Sequence, residues 1–264
     1  MNSQSNDRIS APERERQLKH LLGERGERYT VRCFSEIDST NTEAKRMALS
    51  GQVGRAVILA ERQSAGRGRM GRDFYSPTGG LYCSILCPVE GALADVVPLT
   101  GAVAVALRRA ILAETGIETA IKWVNDLYLN GRKVAGILAE AVSTGRETYL
   151  VIGIGVNIAD TRFPDALSGI AGSLMAEGLT PERLLAAILA ELEPFLGNPE
   201  SREWLEDYRR HSTVLGREVL WTRDGETFTA LAVDVGDNGE LILQSPDGKT
   251  EILRTGEVTV RLAK

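Results

Sequence analysis

Residues 121–140 read IKWVNDLYLNGRKVAGILAE, and their reading decides the fold. Asn130-Gly131 stands between two apolar alternations, with Leu127 and Leu129 before it and Val134 and Ile137 after it. That dipeptide tolerates the φ > 0 conformations of a two-residue hairpin turn, so two antiparallel strands are expected. Hairpins build antiparallel or mixed sheets, which points to α+β and away from a doubly wound parallel sheet. The same hairpin gathers Lys122, Asn125, Asp126 and Lys133 into one neighbourhood. Charges on strands are often only a solvated face. An Asn-Asp pair directly before a buried strand sets its carboxylate near the core, where a charge needs a partner.

Working outward, residues 61–80 (ERQSAGRGRMGRDFYSPTGG) carry five glycines and four arginines between two apolar runs. Glycines let backbone approach a ligand, successive N–H groups form an anion-binding concavity, and arginines bind carboxylate or phosphate bidentately. The stretch reads as a loop that closes over a negatively charged small molecule; a plain surface loop is the alternative. Residues 66–71 match the dinucleotide fingerprint GxGxxG, with Glu90 near the place of its acidic residue. The fingerprint requires a helix immediately after the glycines. Pro77 and Gly79-Gly80 forbid that helix and a strand follows at once, so the match is rejected.

The remaining chain supplies the frame. Residues 1–11 are polar and expected to be disordered, and residues 12–26 could form one charged helix with few core positions. Residues 29–37 alternate as a strand. Ser39-Thr40-Asn41 then begins a helix, with Thr40 and Glu43 at capping-box spacing. Residues 95–116 are an Ala/Leu/Val-rich helix with Pro98 in its first turn and Gly116 as its stop. Residues 147–158 form a strand in which Gly153 and Gly155 leave one face bare, for a ligand or for close packing. Thr180-Pro181-Glu182 opens a capped helix that runs to about residue 196, and another helix follows near 200–210. From residue 216, short β runs alternate with turns at Asp224-Gly225, Asn238-Gly239 and Asp247-Gly248, the pattern of a small β-domain. The expected divisions are 1–28 (tail and helix), 29–214 (catalytic) and 215–264 (β-domain).

Composition bounds the function. The chain has 264 residues, 43% hydrophobic and 25% charged, with a net charge of −5. A dedicated nucleic-acid binder would usually be basic, so no nucleic-acid partner is expected. Cys33, Cys83 and Cys87 are odd in number without a CxxC, which favours reduced thiols and a cytoplasmic location. Two distant histidines argue against a His-rich metal site, and no apolar run is long enough to span a membrane.

Taken together, the motifs resemble the biotin–protein ligases. They are Ser39-Thr40-Asn41, Gln63 with residues 66–71, residues 122–126, residues 133–138 and residues 153–157, in that order. The resemblance covers residues 30–262 and implies a class II synthetase-like catalytic domain with a mixed, largely antiparallel sheet flanked by helices, followed by a small SH3-like β-barrel. It implies that biotin and ATP, with Mg²⁺, give biotinyl-5′-AMP, and that the biotinyl group passes to a lysine of a biotin carboxyl carrier protein. Only about 30 residues precede the catalytic part, so the family's DNA-binding form is not expected; edge strands of the large domain could pair into a homodimer, and the sequence leaves the oligomeric state open.

By the same resemblance, Ser39, Thr40, Asn41 and Gln63 would read the ureido ring. Gly66, Arg67, Gly68 and Arg69 would cover the carboxylate and the adenylate phosphate. Lys133 would meet the biotin carboxylate, and Gly136 and Gly153 would line its pocket. Lys122, Asn125, Asp126 and Asn157 would face the nucleotide, with Asp126 a partner for Mg²⁺ or for the acceptor lysine. Val124 stands where the family usually has proline. Two alternatives remain open: a lipoate or octanoate ligase or transferase of the same fold, and a non-catalytic biotin-sensing module.

Overall fold

The computed structural model describes residues 9–51, 54–89, 97–145, 147–159, 162–223, 225–254, 256 and 258–260. The start of the expected disordered tail, Glu90, the start of the expected helix at 95 and Asp224 lie outside these residues. In chain order the elements are α1 (Ala11–Leu22), β1 (Tyr29–Ile37), α2 (Thr40–Leu49), β2 (Arg55–Gln63), β3 (Gly80–Val89), α3 (Val97–Thr115), β4 (Ala120–Lys122), β5 (Asp126–Leu129), β6 (Arg132–Ser143), β7 (Thr148–Asn157), α4 (Pro181–Gly197), α5 (Trp204–Arg210), β8 (Glu218–Arg223), β9 (Glu226–Val235), β10 (Leu241–Gln244), β11 (Thr250–Leu253) and β12 (Val258–Val260).

Asn130 and Gly131 take φ of 50° and 76°, the left-handed pair that a tight hairpin needs. The hairpin therefore forms, with Leu127 opposite Ala135 and Leu129 opposite Arg132. It belongs to a seven-stranded sheet of order β1-β2-β3-β7-β6-β5-β4. Five of its six pairings are antiparallel; β1 and β2 run parallel. That exception has a topological cause, because α2 lies between the two strands and carries the chain back over the sheet.

The two sheet faces have different partners. Leu150, Ile152, Ile154 and Val156 of β7 join Leu81, Cys83 and Ile85 of β3 and buried residues of α3 and α4 in the main core. The opposite face is divided. Tyr149 and Val151, with Ile58 and Leu86, pack under Ala44, Met47 and Ala48 of α2. Beyond α2, towards Gly153 and Gly155, that face is left for the site. α4 begins as its sequence indicates, with the Thr180 hydroxyl accepting from Arg183 N at 3.2 Å.

The N-terminal helix offers few core positions, as expected: Leu18 and Leu22, 0% and 3% exposed, belong to the main core. Arg14 fastens it, with Nε 2.6 Å from Glu182 of α4 and Nη1 3.1 Å from Glu61 of β2. Only three of its residues are buried, and one of the three is that ion-paired arginine. One expectation needs correction here: the capping box at Thr40 does not form. Ser39 holds the N-cap position without a side-chain cap bond, Thr40 turns its hydroxyl into the site, and Glu43 pairs with Arg46.

The C-terminal strands form a separate antiparallel sheet of order β11-β10-β9-β8-β12. Gly225, Gly239 and Gly248 take φ of 81–83° at its turns. α5 joins it to the large sheet. Arg209 of α5 donates to Asp234 (2.7 Å) and to Val235 O (2.6 Å), and Tyr208 donates to Val124 O at 3.3 Å. Trp123 Nε1 donates to Gly239 O at 2.9 Å. The Trp123–Val124 peptide is cis. Among the described residues no helix is long and apolar enough to cross a membrane.

Candidate active site

The floor of the site is the glycine pair of β7. Gly153 lies between Ser84 of β3 and Leu138 of β6, and Gly155 between Tyr82 and Gly136. The face expected to be bare is occupied by two protein groups. A Cβ on Gly153 would stand 2.2 Å from Asn41 Oδ1, and one on Gly155 would stand 2.5 Å from the Phe74 ring. The glycines thus admit an amide from α2 and an aromatic ring from the 64–79 loop, and these groups wall a chamber above the sheet. A Cβ on Gly136 would likewise approach Phe74 and the Lys133 side chain, both within 3.2 Å.

One end of the chamber is polar and neutral. Gln63 Oε1 accepts from Thr40 N (2.8 Å) and from Thr40 Oγ1 (3.1 Å), while Gln63 Nε2 donates to Ser76 Oγ at 2.9 Å. Ser84 Oγ lies 2.8 Å from Thr40 Oγ1 and 2.6 Å from Asn41 Oδ1. Ser39, Thr40, Asn41 and Ser84 are all almost fully buried, so each polar atom must find a partner in the protein or in a ligand.

The other end is charged. Lys133 Nζ is 2.7 Å from Asp126 Oδ1, with the Phe74 ring centroid 5.9 Å from the ammonium. Asn125 Nδ2 donates to Ile137 O at 2.8 Å, which leaves its oxygen to accept from Arg69 at 3.1 Å. That bond ties the arginine loop to the 122–126 motif. The loop is folded on itself: Gly68 N donates to Arg72 O at 2.7 Å and Phe74 N to Gly66 O at 2.9 Å. Arg67 reaches to 3.9 Å from Glu140, whose carboxylate also accepts from Lys45 and Asn41. Burial alone would raise the Glu140 pKa; these partners hold it below the usual carboxylate value.

The expected residues distribute over two adjoining chambers. Ser39, Thr40, Asn41, Gln63, Arg67, Gly68, Gly136 and Gly153 line the first, of about 120 Å³. Lys122 and Asn157 line the second, of about 410 Å³, together with Tyr75 and Phe163, whose rings meet edge to face at 6.4 Å. Arg69, Asn125, Asp126 and Lys133 line both and form the seam. Gly66 lines neither. A Cβ there would come within 2.4 Å of Phe74 O and 2.6 Å of Ser76 Oγ, so its role is to let the loop close. Asn157 Nδ2 donates to Gly172 O at 2.9 Å, and among the described residues its buried Oδ1 has no hydrogen-bond partner.

The three cysteines are free and buried. Burial pushes the thiols of Cys33 and Cys87 up to about 12 and that of Cys83 upward as well, so none supplies a thiolate nucleophile. Among the described residues no group of three or more His, Cys, Asp or Glu side chains could hold a metal ion.

Residues 33–157 match the biotin/lipoate A/B protein ligase family, and residues 214–261 match the biotin protein ligase C-terminal domain. A biotin--[acetyl-CoA-carboxylase] ligase of Paracoccus denitrificans is 33% identical over 243 residues, 85% of this chain and 98% of the relative. The chain belongs to the biotin protein ligase family. Its fold is that of the Aquifex aeolicus biotin protein ligase solved with biotin and ATP, at TM-score 0.77 and 25% identity over 89% of this chain and 99% of that one. The Leishmania major biotin protein ligase solved with biotinyl-5-AMP aligns at TM-score 0.60 and 27% identity, over 86% and 99%.

In this biotin protein ligase fold, several site residues carry no sequence signal of their own. Ser84 is one hydroxyl in an apolar strand, identifiable only once β3 is placed beside Gly153. Phe74 is one aromatic residue in a glycine- and arginine-rich loop, and its seat on Gly155 depends on β7. Glu140 closes a strand as an ordinary charged residue, yet meets Asn41 and Lys45 from a distant helix.

Proposed function

We propose that this chain joins biotin to ATP as biotinyl-5′-AMP and then transfers the biotinyl group to a lysine of a biotin carboxyl carrier protein. The observation that carries the reading is the seam: Arg69, Asn125, Asp126 and Lys133 face both a small chamber with a neutral polar end and a larger one. A bicyclic urea with a carboxylate tail suits the first chamber. The ureido group meets Ser39, Thr40 and Gln63, and the tail points to Lys133. The nucleotide suits the second, where the free Asn157 oxygen can accept from an adenine amine and Lys122 can neutralise phosphate.

The chemistry follows from charge. A carboxylate oxygen must attack an α-phosphorus that already carries negative charge, with diphosphate leaving. Arg67, Arg69 and Lys133 offset the repulsion and stabilise the charge that grows at phosphorus. Mg²⁺ would arrive on the ATP phosphates and lend further positive charge. Asp126, with the exposed Asp73, supplies carboxylates in the second chamber, and one or two carboxylates beside substrate phosphates are what that ion takes. In the second step the lysine amine attacks the acyl carbon and AMP leaves. Asp126 orients that amine and receives its proton. The arginine loop keeps water from the anhydride between the steps. Reduced thiols fit a reducing cytoplasm as the setting. ATP–pyrophosphate exchange tests the reading: biotin should stimulate it and lipoate should not, and the reverse result would replace biotin by the lipoyl substrate.

A further inference from the structure

Glu140 lies outside the set of residues that touch either proposed substrate, yet it determines how the polar end of the first chamber is wired. Asn41 Nδ2 faces Glu140 Oε2 at 3.0 Å and Leu138 O at 3.3 Å. Both are acceptors, so the amide orientation is fixed with its oxygen towards Ser84. Asn41 Oδ1 can only accept, and Ser84 Oγ at 2.6 Å must give it its single hydrogen. Ser84 then has none left for Thr40. The Thr40 hydroxyl hydrogen is consumed within the protein, by Ser84 Oγ at 2.8 Å or by Gln63 Oε1 at 3.1 Å. Either way its lone pairs are left to accept, and Thr40 lines the chamber. The other Glu140 oxygen meets Lys45 Nζ at 2.6 Å, and Arg67 adds positive charge at 3.9 Å.

We propose that Glu140 is a specificity-determining positioning residue: through Asn41 and Ser84 it fixes the Thr40 hydroxyl as a hydrogen-bond acceptor, so that the chamber selects a ligand N–H at that position. The inference rests on the reading of this chamber as the biotin site, because the N–H selected is a ureido N–H. A carboxylate is required and an amide will not serve. In Glu140→Gln, Lys45 and Arg67 draw the new amide's oxygen and leave its NH₂ facing Asn41. Asn41 must then invert or lose its bond, Ser84 is free to donate to Thr40, and the acceptor presented to the ligand is weakened.

The test is calorimetric titration of the full chain with biotin and with the two biotins methylated on one ureido nitrogen. The wild type should prefer biotin over at least one of them by about 5–150-fold, the scale of one buried polar group left unpaired. Glu140→Gln should lower that preference about tenfold, mostly by weakening biotin itself. Lys45→Met removes a Glu140 partner but keeps the Asn41 bond, and should retain the preference. Ser84→Ala removes the group that would donate to Thr40 and leaves the Thr40 hydrogen on Gln63, so it should keep the preference alone and restore it when combined with Glu140→Gln. An unchanged preference in Glu140→Gln overturns the proposal. If that variant fails to fold, an unchanged preference in Asn41→Ala, which also frees Ser84 to donate to Thr40, does so. A wild type that binds no biotin would instead overturn the reading of the chamber.

Discussion

Gly153→Ala strikes the site at its least adjustable point. The new Cβ would lie 2.2 Å from Asn41 Oδ1 and 2.8 Å from Cγ, far inside contact distance. β7 cannot yield, because it is hydrogen-bonded to β3 on one side and β6 on the other at this residue. Asn41 must leave, and with it go its bonds to Leu138 O, Glu140 and Ser84. Overpacking of this kind costs about 1–3 kcal/mol, and each buried polar group left unpaired about 1–3 kcal/mol. We expect a stability loss of about 2–4 kcal/mol, allowing for partial relaxation, and a loss of biotin affinity of at least about tenfold. ATP affinity should stay within about twofold, as Asn41 does not line the second chamber. Thermal unfolding and calorimetric titration measure the three quantities. Combining the substitution with Asn41→Ala makes room for the Cβ, so Gly153→Ala should add little loss in that background. Wild-type biotin affinity in Gly153→Ala, or full additivity in the pair, would refute the reasoning.

Lys133→Ala should leave the protein folded, with a cost of about 1–3 kcal/mol from the unpaired Asp126, and reduce adenylate formation at least about a hundredfold. Near-normal pyrophosphate exchange in that variant would remove Lys133 from the mechanism. Arg69→Ala breaks the bond to Asn125 that ties the loop down, so release of biotinyl-AMP relative to transfer should rise about tenfold, the scale of one charged hydrogen bond. An unchanged ratio in a rapid-quench measurement would end the idea that the loop retains the intermediate.

The sequence carried the local chemistry of this fold well. Asn130-Gly131 specified its turn because two left-handed residues in succession exclude nearly every other dipeptide there. Pro77 and Gly79-Gly80 excluded the dinucleotide fold, and β3 indeed begins at Gly80. What depends on distant strands was not legible. The parallel β1–β2 pair follows from α2 crossing the sheet, which local pattern does not reveal. Ser39-Thr40-Asn41 satisfies the same composition rule whether its hydroxyls cap a helix or turn away from it, and only Gln63 and Ser84, brought from other strands, show that the Thr40 hydroxyl does the latter. The glycines of β7 were visible as an absence of side chains. Which groups fill that space, Asn41 and Phe74, depended on the position of α2 and of the loop.

The central claim is that the two chambers meet so that a biotin carboxylate can attack ATP at the seam of Arg69, Asn125, Asp126 and Lys133. Its most direct test is to incubate the purified chain with biotin, ATP and Mg²⁺ and analyse the bound small molecules by mass spectrometry. The account predicts enzyme-held biotinyl-5′-AMP that disappears, with AMP release, when a biotin carboxyl carrier protein is added and gains one biotinyl group on a lysine. Biotin bound without any adenylate, or an adenylate formed from lipoate and not from biotin, would contradict it.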